Sequence, residues 1–112
     1  MTTKIPYSVR QGDVLLVDAE YRGGIPADAR KLAAQGDTIL AHGEVTGHAH
    51  RIAADQPVEY FDGQAERYLR ALSEVPLTHE EHATIPILPR DGGYHQAFQA
   101  EEFGEEVRRV AD

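Results

Sequence analysis

Short apolar runs separated by turn residues occupy most of the chain. Seven runs rich in β-branched, aromatic or aliphatic residues are bounded by glycine, aspartate or proline: residues 12–17, 38–41, 58–61, 67–72, 75–77, 83–88 and 94–98. Runs of this length with turn signals between them predict β-strands. We therefore predict an all-β fold, a small barrel or sandwich, formed by one domain over residues 1–112.

Three prolines lie within or beside the later runs, at Pro76, Pro86 and Pro89. Because proline has no amide hydrogen to donate to a neighbouring strand, it is confined to edge strands and strand ends. The strands over residues 75–88 are therefore predicted to lie at an edge.

Two segments have a helical pattern. Near the C-terminus, Phe103, Val107 and Val110 fall on one face of a helix, which predicts a short helix there. The long connection over residues 19–36 contains several glycines and a proline, and we predict one helical turn within it, at residues 27–34.

Composition and charge restrict the class of function. A net charge of −8 argues against sequence-independent binding to nucleic acid or to an anionic membrane. The chain has no cysteine, so any metal has to be held by nitrogen and oxygen. No apolar run approaches the roughly 20 residues of a membrane helix, and the first ten residues lack a signal-peptide core, which together predict a cytoplasmic protein.

Five of the six histidines fall in two short segments, residues 41–50 and 78–82. Each segment contains a close pair, and the four candidate ligands are His48, His50, His79 and His82. Imidazole is the commonest metal ligand in proteins, and both spacings allow two rings to reach one ion. The two segments together therefore predict a metal site.

Strand geometry predicts which side of the first segment is polar. If a strand runs unbroken over residues 39–52, Glu44, His48 and His50 share one face, with large apolar residues at both ends. That arrangement fits a polar pocket inside a barrel. The alternative is that this polar face is the solvated outer face of the sheet. A bulge at a glycine of this segment would also change which residues share a face.

The second segment is ambiguous by geometry. Three residues apart, His79 and His82 share a face on a helix but oppose each other on a strand. Pro76 and Pro86 leave little room for a helix, so we predict a turn that aims both rings inward. A charged, exposed loop is the alternative. The spacing differs from the His-Glu-x-x-His of zinc proteases, so protease chemistry is not supported.

The chain resembles the cupin family over residues 38–99. The resemblance rests on His48-Ala-His50, on Asp55 where cupins usually have glutamate, and on His95 in a motif that carries one additional residue here. Cupins are small β-barrels that hold a metal with His-x-His, a carboxylate and a later histidine. The resemblance implies a cupin-like barrel in which Asp55 or His95 takes the place of the second histidine pair.

Nearly the whole chain is also similar to a group of short uncharacterised bacterial proteins. The shared pattern comprises a strand that starts at Gly-Asp, Gly-Glu-Val-Thr-Gly-His-x-His at 43–50, His-Glu-Glu-His at 79–82, Leu-Pro at 88–89 and Gln-x-Glu at 99–101. This resemblance implies no activity. It favours the histidines of the second segment over His95 as the second ligand pair.

Two functions follow from the predicted metal site. The first is a cupin-like metalloenzyme for a small molecule, in which Glu44 or Glu80 acts as a base on metal-bound water. The second is a non-enzymatic module in which the metal or the histidine cluster stabilises the fold or the interface of a homo-oligomer. An all-nitrogen ligand set fits Zn, Ni, Cu or Fe, and exchange of one histidine for a carboxylate favours Mn or non-haem Fe.

Overall fold

The computed structural model describes residues 6–33, 35–43 and 47–97. The strands are β1 Ser8–Gln11, β2 Val14–Asp18, β3 Arg30–Lys31, β4 Thr38–His42, β5 Ala49–Ile52, β6 Val58–Asp62, β7 Arg67–Ala71, β8 Val75–Leu77, β9 Ile85–Ile87 and β10 Tyr94–Ala97. A single turn of 3-10 helix, Glu20–Arg22, is the helical element within these residues.

Six of the strands form one antiparallel sheet in the order β1-β2-β10-β7-β6-β3. Side chains alternate between its two faces, as strand geometry requires. In β2, Val14, Leu16 and Asp18 are buried, whereas Leu15 and Val17 are partly exposed. The sheet therefore has an inner face against the core and an outer face that is only partly covered.

Two small sheets lie beside the large one. β4 pairs with β5, and β8 pairs with β9. A single antiparallel bridge joins the two pairs, because the amide of Arg51 donates to the carbonyl of Thr78 and the amide of Thr78 donates back, both at 2.9 Å. Pro76, two residues before Thr78, has no amide hydrogen with which to extend this pairing.

The hydrophobic core lies between the large sheet and the two small ones. Its buried residues come from all three sheets: Val14, Leu16, Leu40, Ile52, Tyr60, Leu69, Ala71, Val75, Leu77, Ile87 and Tyr94. Burial of such side chains stabilises the fold by roughly 1.5–3 kcal/mol each. The core therefore fixes two strands in place: β5, which contains His50, and β8, which leads into the second histidine segment.

The all-β prediction is confirmed, but two details are corrected. Within the described residues the strands do not close into the barrel that the cupin resemblance implies. The predicted helical turn at 27–34 is absent from its described residues, which contain β3 instead, because Arg30 and Lys31 pair with the edge strand β6. The predicted C-terminal helix lies outside the described residues.

The strand predicted over residues 39–52 is also interrupted. β4 and β5 are separate strands that pair antiparallel, and the amide of Gly43 donates to the carbonyl of His48 across the turn. Gly47 has a φ of +88°, a conformation that glycine adopts without steric cost. The prediction of one unbroken strand is therefore wrong, and the irregularity in the pairing of β4 with β5 lies between Ile39 and Ala41 and not at a glycine. The predicted edge position of the proline strands is borne out, since Pro76 faces Pro86 in the two-stranded β8–β9 sheet.

Candidate metal centre

The backbone bridge between Arg51 and Thr78 brings the two histidine segments together. His50 directly precedes one bridged residue and His79 directly follows the other. The ring centroids of His50 and His79 are 4.3 Å apart, and the ring of His82 lies 4.6 Å from that of His79. One ligand nitrogen from each of these three rings lies within 4.8 Å of the other two. Two nitrogens on one ion are about 3–4 Å apart, so this histidine triad is close to a binding arrangement.

His50 is the buried member of the triad, and its orientation is fixed by Gln11. The His50 side chain is 4% exposed, and its Nδ1 lies 2.8 Å from Oε1 of Gln11. The Gln11 amide nitrogen donates to the carbonyl oxygens of Leu77 and Ala83, at 2.8 and 2.9 Å. Its Oε1 must therefore be the acceptor for His50, so the proton of His50 is on Nδ1. The lone pair of Nε2 is left free for a ligand.

This hydrogen bond follows a pattern common in metalloproteins. A ligating histidine usually donates its other ring N–H to a protein acceptor, which fixes the tautomer and the ring orientation. Here a buried glutamine from β1 has that role toward a histidine from β5. The first strand of the chain thereby orients a side chain of the candidate site.

The surroundings of His50 keep its ring neutral. Burial, together with the charges that His79 and His82 carry when protonated, lowers the pKa of His50 to about 4. Asp13 and Glu80 act in the opposite direction, because their negative charges favour the protonated ring. A neutral ring is the form that binds a metal, and the nearby carboxylates attract a cation.

His79 is hydrogen-bonded within its own turn. The amide of Glu81 donates to Nδ1 of His79 at 2.9 Å, so the proton of the neutral ring is on Nε2. A metal that binds Nδ1 replaces this hydrogen bond. A metal that binds Nε2 requires the proton to move to Nδ1, which also breaks it. The rings of His79 and His82 come together in this segment. The predicted inward aim of both rings is wrong for His82, whose side chain is exposed where it lies over the turn between β1 and β2.

The ring of His82 packs against the turn between β1 and β2. A Cβ atom added to Gly12 would lie 2.6 Å from Nε2 of His82, closer than such atoms approach in real structures. Gly12 also has a φ of +55°, in the left-handed region that favours glycine. Gly12 therefore leaves room for the ring of the most exposed member of the triad.

Replacement of Gly12 with alanine is expected to displace His82 and weaken metal binding about 10-fold or more. The substitution also strains the backbone by roughly 1–2 kcal/mol. Gly36→Ala is the matched control, because Gly36 has a φ of +99° and no atom within 4 Å of an added Cβ. Titration calorimetry with Zn²⁺ measures the affinity. Equal affinity in the two variants would contradict the role given to Gly12.

His48 lies beside the triad but is not one of its members. Its ring meets that of His79 edge-on, with centroids 6.0 Å apart. Nδ1 of His48 lies 3.0 Å from a carboxylate oxygen of Glu81, in an orientation that does not form a hydrogen bond. Of the four predicted ligands, the structure thus brings three to one point and places the fourth next to them.

The predicted catalytic residue Glu80 has its carboxylate engaged. One oxygen accepts the amide of Ala49 at 2.9 Å, and the other lies 3.2 Å from the guanidinium of Arg51. The hydrogen bond from Ala49 is the main reason that the pKa of Glu80 lies below its ordinary value. Glu80 therefore ties the second histidine segment to β5, and its role as a base stays a prediction. Glu44, the other predicted base, lies outside the described residues.

The substitute ligands implied by the cupin resemblance do not join the triad. Asp55 is exposed, and its carboxylate contacts the side chain of Gln56. His95 lies on β10, where its two ring nitrogens contact Tyr21 and Glu66.

Two residues that support the site were not predicted from the sequence. Gln11 and Gly12 lie 36 or more positions before the histidine pairs, and neither residue type indicates a metal site by itself. The one available signal was the Gln11-Gly12-Asp13 turn in the bacterial resemblance. Their roles follow from the contact between the β1–β2 turn and the triad.

A family model described as a domain of unknown function, DUF8820, matches residues 10–99, a span that contains Gln11 and both histidine pairs. No curated protein and no solved structure matches the chain. Among the described residues, none of the helical structure is long and apolar enough to cross a membrane. Because the family model covers residues 10–99, most of the sequence, the chain belongs to the DUF8820 family.

Proposed function

We propose that the protein binds one divalent transition metal ion on His50, His79 and His82. The observation that carries this proposal is the buried hydrogen bond from Nδ1 of His50 to Gln11, which leaves the lone pair on Nε2 of a ring that lies next to the rings of His79 and His82. A histidine whose tautomer and ring orientation are fixed by a second hydrogen bond is typical of a metal ligand.

The ligand chemistry limits the choice of ion. Three imidazole nitrogens without a thiolate suit Zn, Fe, Ni or Cu, and a carboxylate as a further ligand favours Mn or non-haem Fe. Magnesium and calcium prefer oxygen ligands and do not fit this set. We take zinc as the first ion to test because it binds histidine sets of this size in many proteins.

Three protein ligands favour an enzyme over a purely structural site. Zinc with three protein ligands keeps an open position, whereas structural zinc usually has four. When bound, the ion supplies Lewis acidity at that position. Gln11 orients His50, and the carboxylates of Asp13 and Glu80 add negative charge near the site. The proposed activity is metal-dependent hydrolysis or isomerisation of a small molecule.

The test is metal binding by protein prepared without a histidine tag. We expect one Zn²⁺ per chain by elemental analysis and calorimetry. His79→Ala and His82→Ala are expected to weaken binding at least about 100-fold, since loss of even an orienting residue costs 10–100-fold. His42→Ala is the matched control, because His42 is exposed on β4 and is not part of the triad. Unchanged affinity in the two triad variants would overturn the proposal.

The second candidate function is a structural metal site. It is favoured because the site is formed by residues from different sheets. The residues of the site come from β5, from the segment after β8 and from the β1–β2 turn, which join the small sheets to the large one. In this case His48 completes a closed, four-ligand site, and His48→Ala weakens binding as much as His79→Ala does. With Co²⁺ in the site, added azide changes the visible spectrum of an open site and leaves a closed site unchanged.

A further inference from the structure

A second hydrogen-bonded histidine lies on the outer face of the large sheet. His95 follows Tyr94, whose side chain is fully buried in the core, so strand alternation directs His95 to the opposite face. On that face it lies next to Tyr68 on β7 and Val17 on β2. The His95 side chain is nevertheless buried, because the segment around the 3-10 helix Glu20–Arg22 covers it.

The contacts of His95 fix its tautomer. Nδ1 lies 3.1 Å from a carboxylate oxygen of Glu66, which only accepts hydrogen bonds, so Nδ1 carries the proton. Nε2 therefore has the lone pair and accepts from the hydroxyl of Tyr21 at 3.1 Å. The second oxygen of Glu66 is held by Arg22 at 2.7 Å. The carboxylate of Glu66 thus orients the ring of His95, and the basic Nε2 of that ring faces the hydroxyl of Tyr21.

This order of groups is the one that activates a nucleophile. In base-assisted nucleophilic catalysis, a hydroxyl lies within hydrogen-bond reach of a base that a third group orients. The exposure of the three residues agrees with that division of roles. Tyr21 is 62% exposed and accessible to an incoming molecule, whereas His95 is 8% exposed. Burial and the charge of Arg22 lower the pKa of His95, so its ring is neutral and able to accept a proton near pH 7.

Anchoring the 3-10 helix does not require these side chains. The amide of Ala19 donates to the carbonyl of Gly93 at 2.8 Å, and the amide of Glu20 donates to Asp18. Glu20 also packs so closely on Gly92 that an added Cβ there would lie 2.7 Å from the Glu20 Cα. These contacts hold the segment in place. The hydrogen bonds that link the side chains of Glu66, His95 and Tyr21 are therefore not needed for that purpose.

We propose that Tyr21 is a nucleophile that accepts an acyl group from a small activated ester, with His95 as its base and Glu66 as the residue that orients the base. The Tyr21 oxygen forms a bond to the ester carbonyl carbon, and the bond from that carbon to the leaving oxygen breaks. The Tyr21 proton passes to Nε2 of His95 and then to the leaving oxygen. The product is an acyl-tyrosine, and no oxidant, reductant or metal takes part.

The experiment uses the full chain with p-nitrophenyl acetate in the presence of a chelator. We expect a burst of p-nitrophenolate that approaches one per chain, with the acetyl group mapped to Tyr21 by mass spectrometry. Tyr21→Phe is expected to remove the burst, and His95→Gln to slow it about 100-fold or more. Tyr7→Phe is the control, since Tyr7 is a half-buried tyrosine outside this group. Circular dichroism verifies that each variant is folded.

The pH dependence separates an activated tyrosine from an ordinary one. With His95 as the base, the acetylation rate rises with the neutral fraction of His95, is half-maximal below about pH 6.5 because burial lowers the pKa of His95, and is constant above about pH 7.5. Attack by an ordinary phenolate rises with pH up to about 10. A rate that rises to pH 10, or acetylation confined to other residues, would overturn the proposal. Because the chelator is present throughout, the result does not depend on the metal site.

Discussion

Replacement of Gln11 with alanine is expected to weaken Zn²⁺ binding about 10- to 100-fold and to destabilise the fold by about 2–3 kcal/mol. The variant loses the acceptor that fixes the tautomer of His50, although it retains all the histidines. It also leaves the carbonyl of the buried Leu77 without its donor. Calorimetry gives the affinity, and urea denaturation of the metal-free protein gives the free energy of unfolding.

Gln96→Ala provides the matched control for this prediction. Gln96 is another glutamine of the inner face, and its amide donates to the carbonyl of Leu40 while its oxygen accepts from the hydroxyl of Tyr60. Its loss is expected to destabilise the fold by a similar amount but to leave Zn²⁺ affinity unchanged. If both variants bind Zn²⁺ equally well, Gln11 does not orient the site.

Metal-free protein is expected to lose about 2–3 kcal/mol of stability between pH 6.5 and pH 4 because of His50. The folded state holds the pKa of His50 at about 4, below its ordinary value of 6.5. In this range the unfolded chain therefore binds more protons than the folded one, so protonation favours unfolding as the pH falls. Above about pH 7.5 the ring is neutral in both states and this contribution does not change. Urea denaturation at several pH values in chelator measures the effect.

His50→Gln removes the titrating group and retains a donor for Gln11. Its stability is expected to fall less steeply with decreasing pH than that of the native chain, and His95, whose pKa is also lowered by burial, accounts for part of the slope that remains. His42→Gln, on the exposed face of β4, is expected to retain the native slope. An identical pH dependence of stability in the native chain and in His50→Gln would show that His50 is not its source.

The strand content was predictable because the apolar runs and turn residues are local signals. The runs at 12–17, 38–41 and 58–61 correspond to β2, β4 and β6 to within about two residues. β3 was not predicted, since Arg30 and Lys31 have no apolar character and are extended only because they pair with β6. Their extended conformation depends on a tertiary contact that a local pattern does not contain.

The residue types of the candidate metal centre were predictable, but their arrangement depends on long-range contacts. Two histidine pairs in a chain without cysteine indicate a nitrogen site from the sequence alone. That the rings of His50, His79 and His82 come together, with His48 beside them, follows from the pairing of β4 with β5 and from the bridge at Thr78. The part taken by Gln11 depends on a hydrogen bond between residues 39 positions apart, for which the sequence has no local signal.

The long sequence separation of the contacts at the candidate metal centre has a consequence for the order of folding. Gln11 contacts residues 39 and 66 positions later in the chain, so these contacts require the closure of large loops. Contacts of this kind form late, after the local hairpins. An ion held there would slow unfolding and leave the folding rate nearly unchanged. During synthesis, the chain would acquire its metal only after residue 82 has emerged from the ribosome, so metal loading would mark a completed fold.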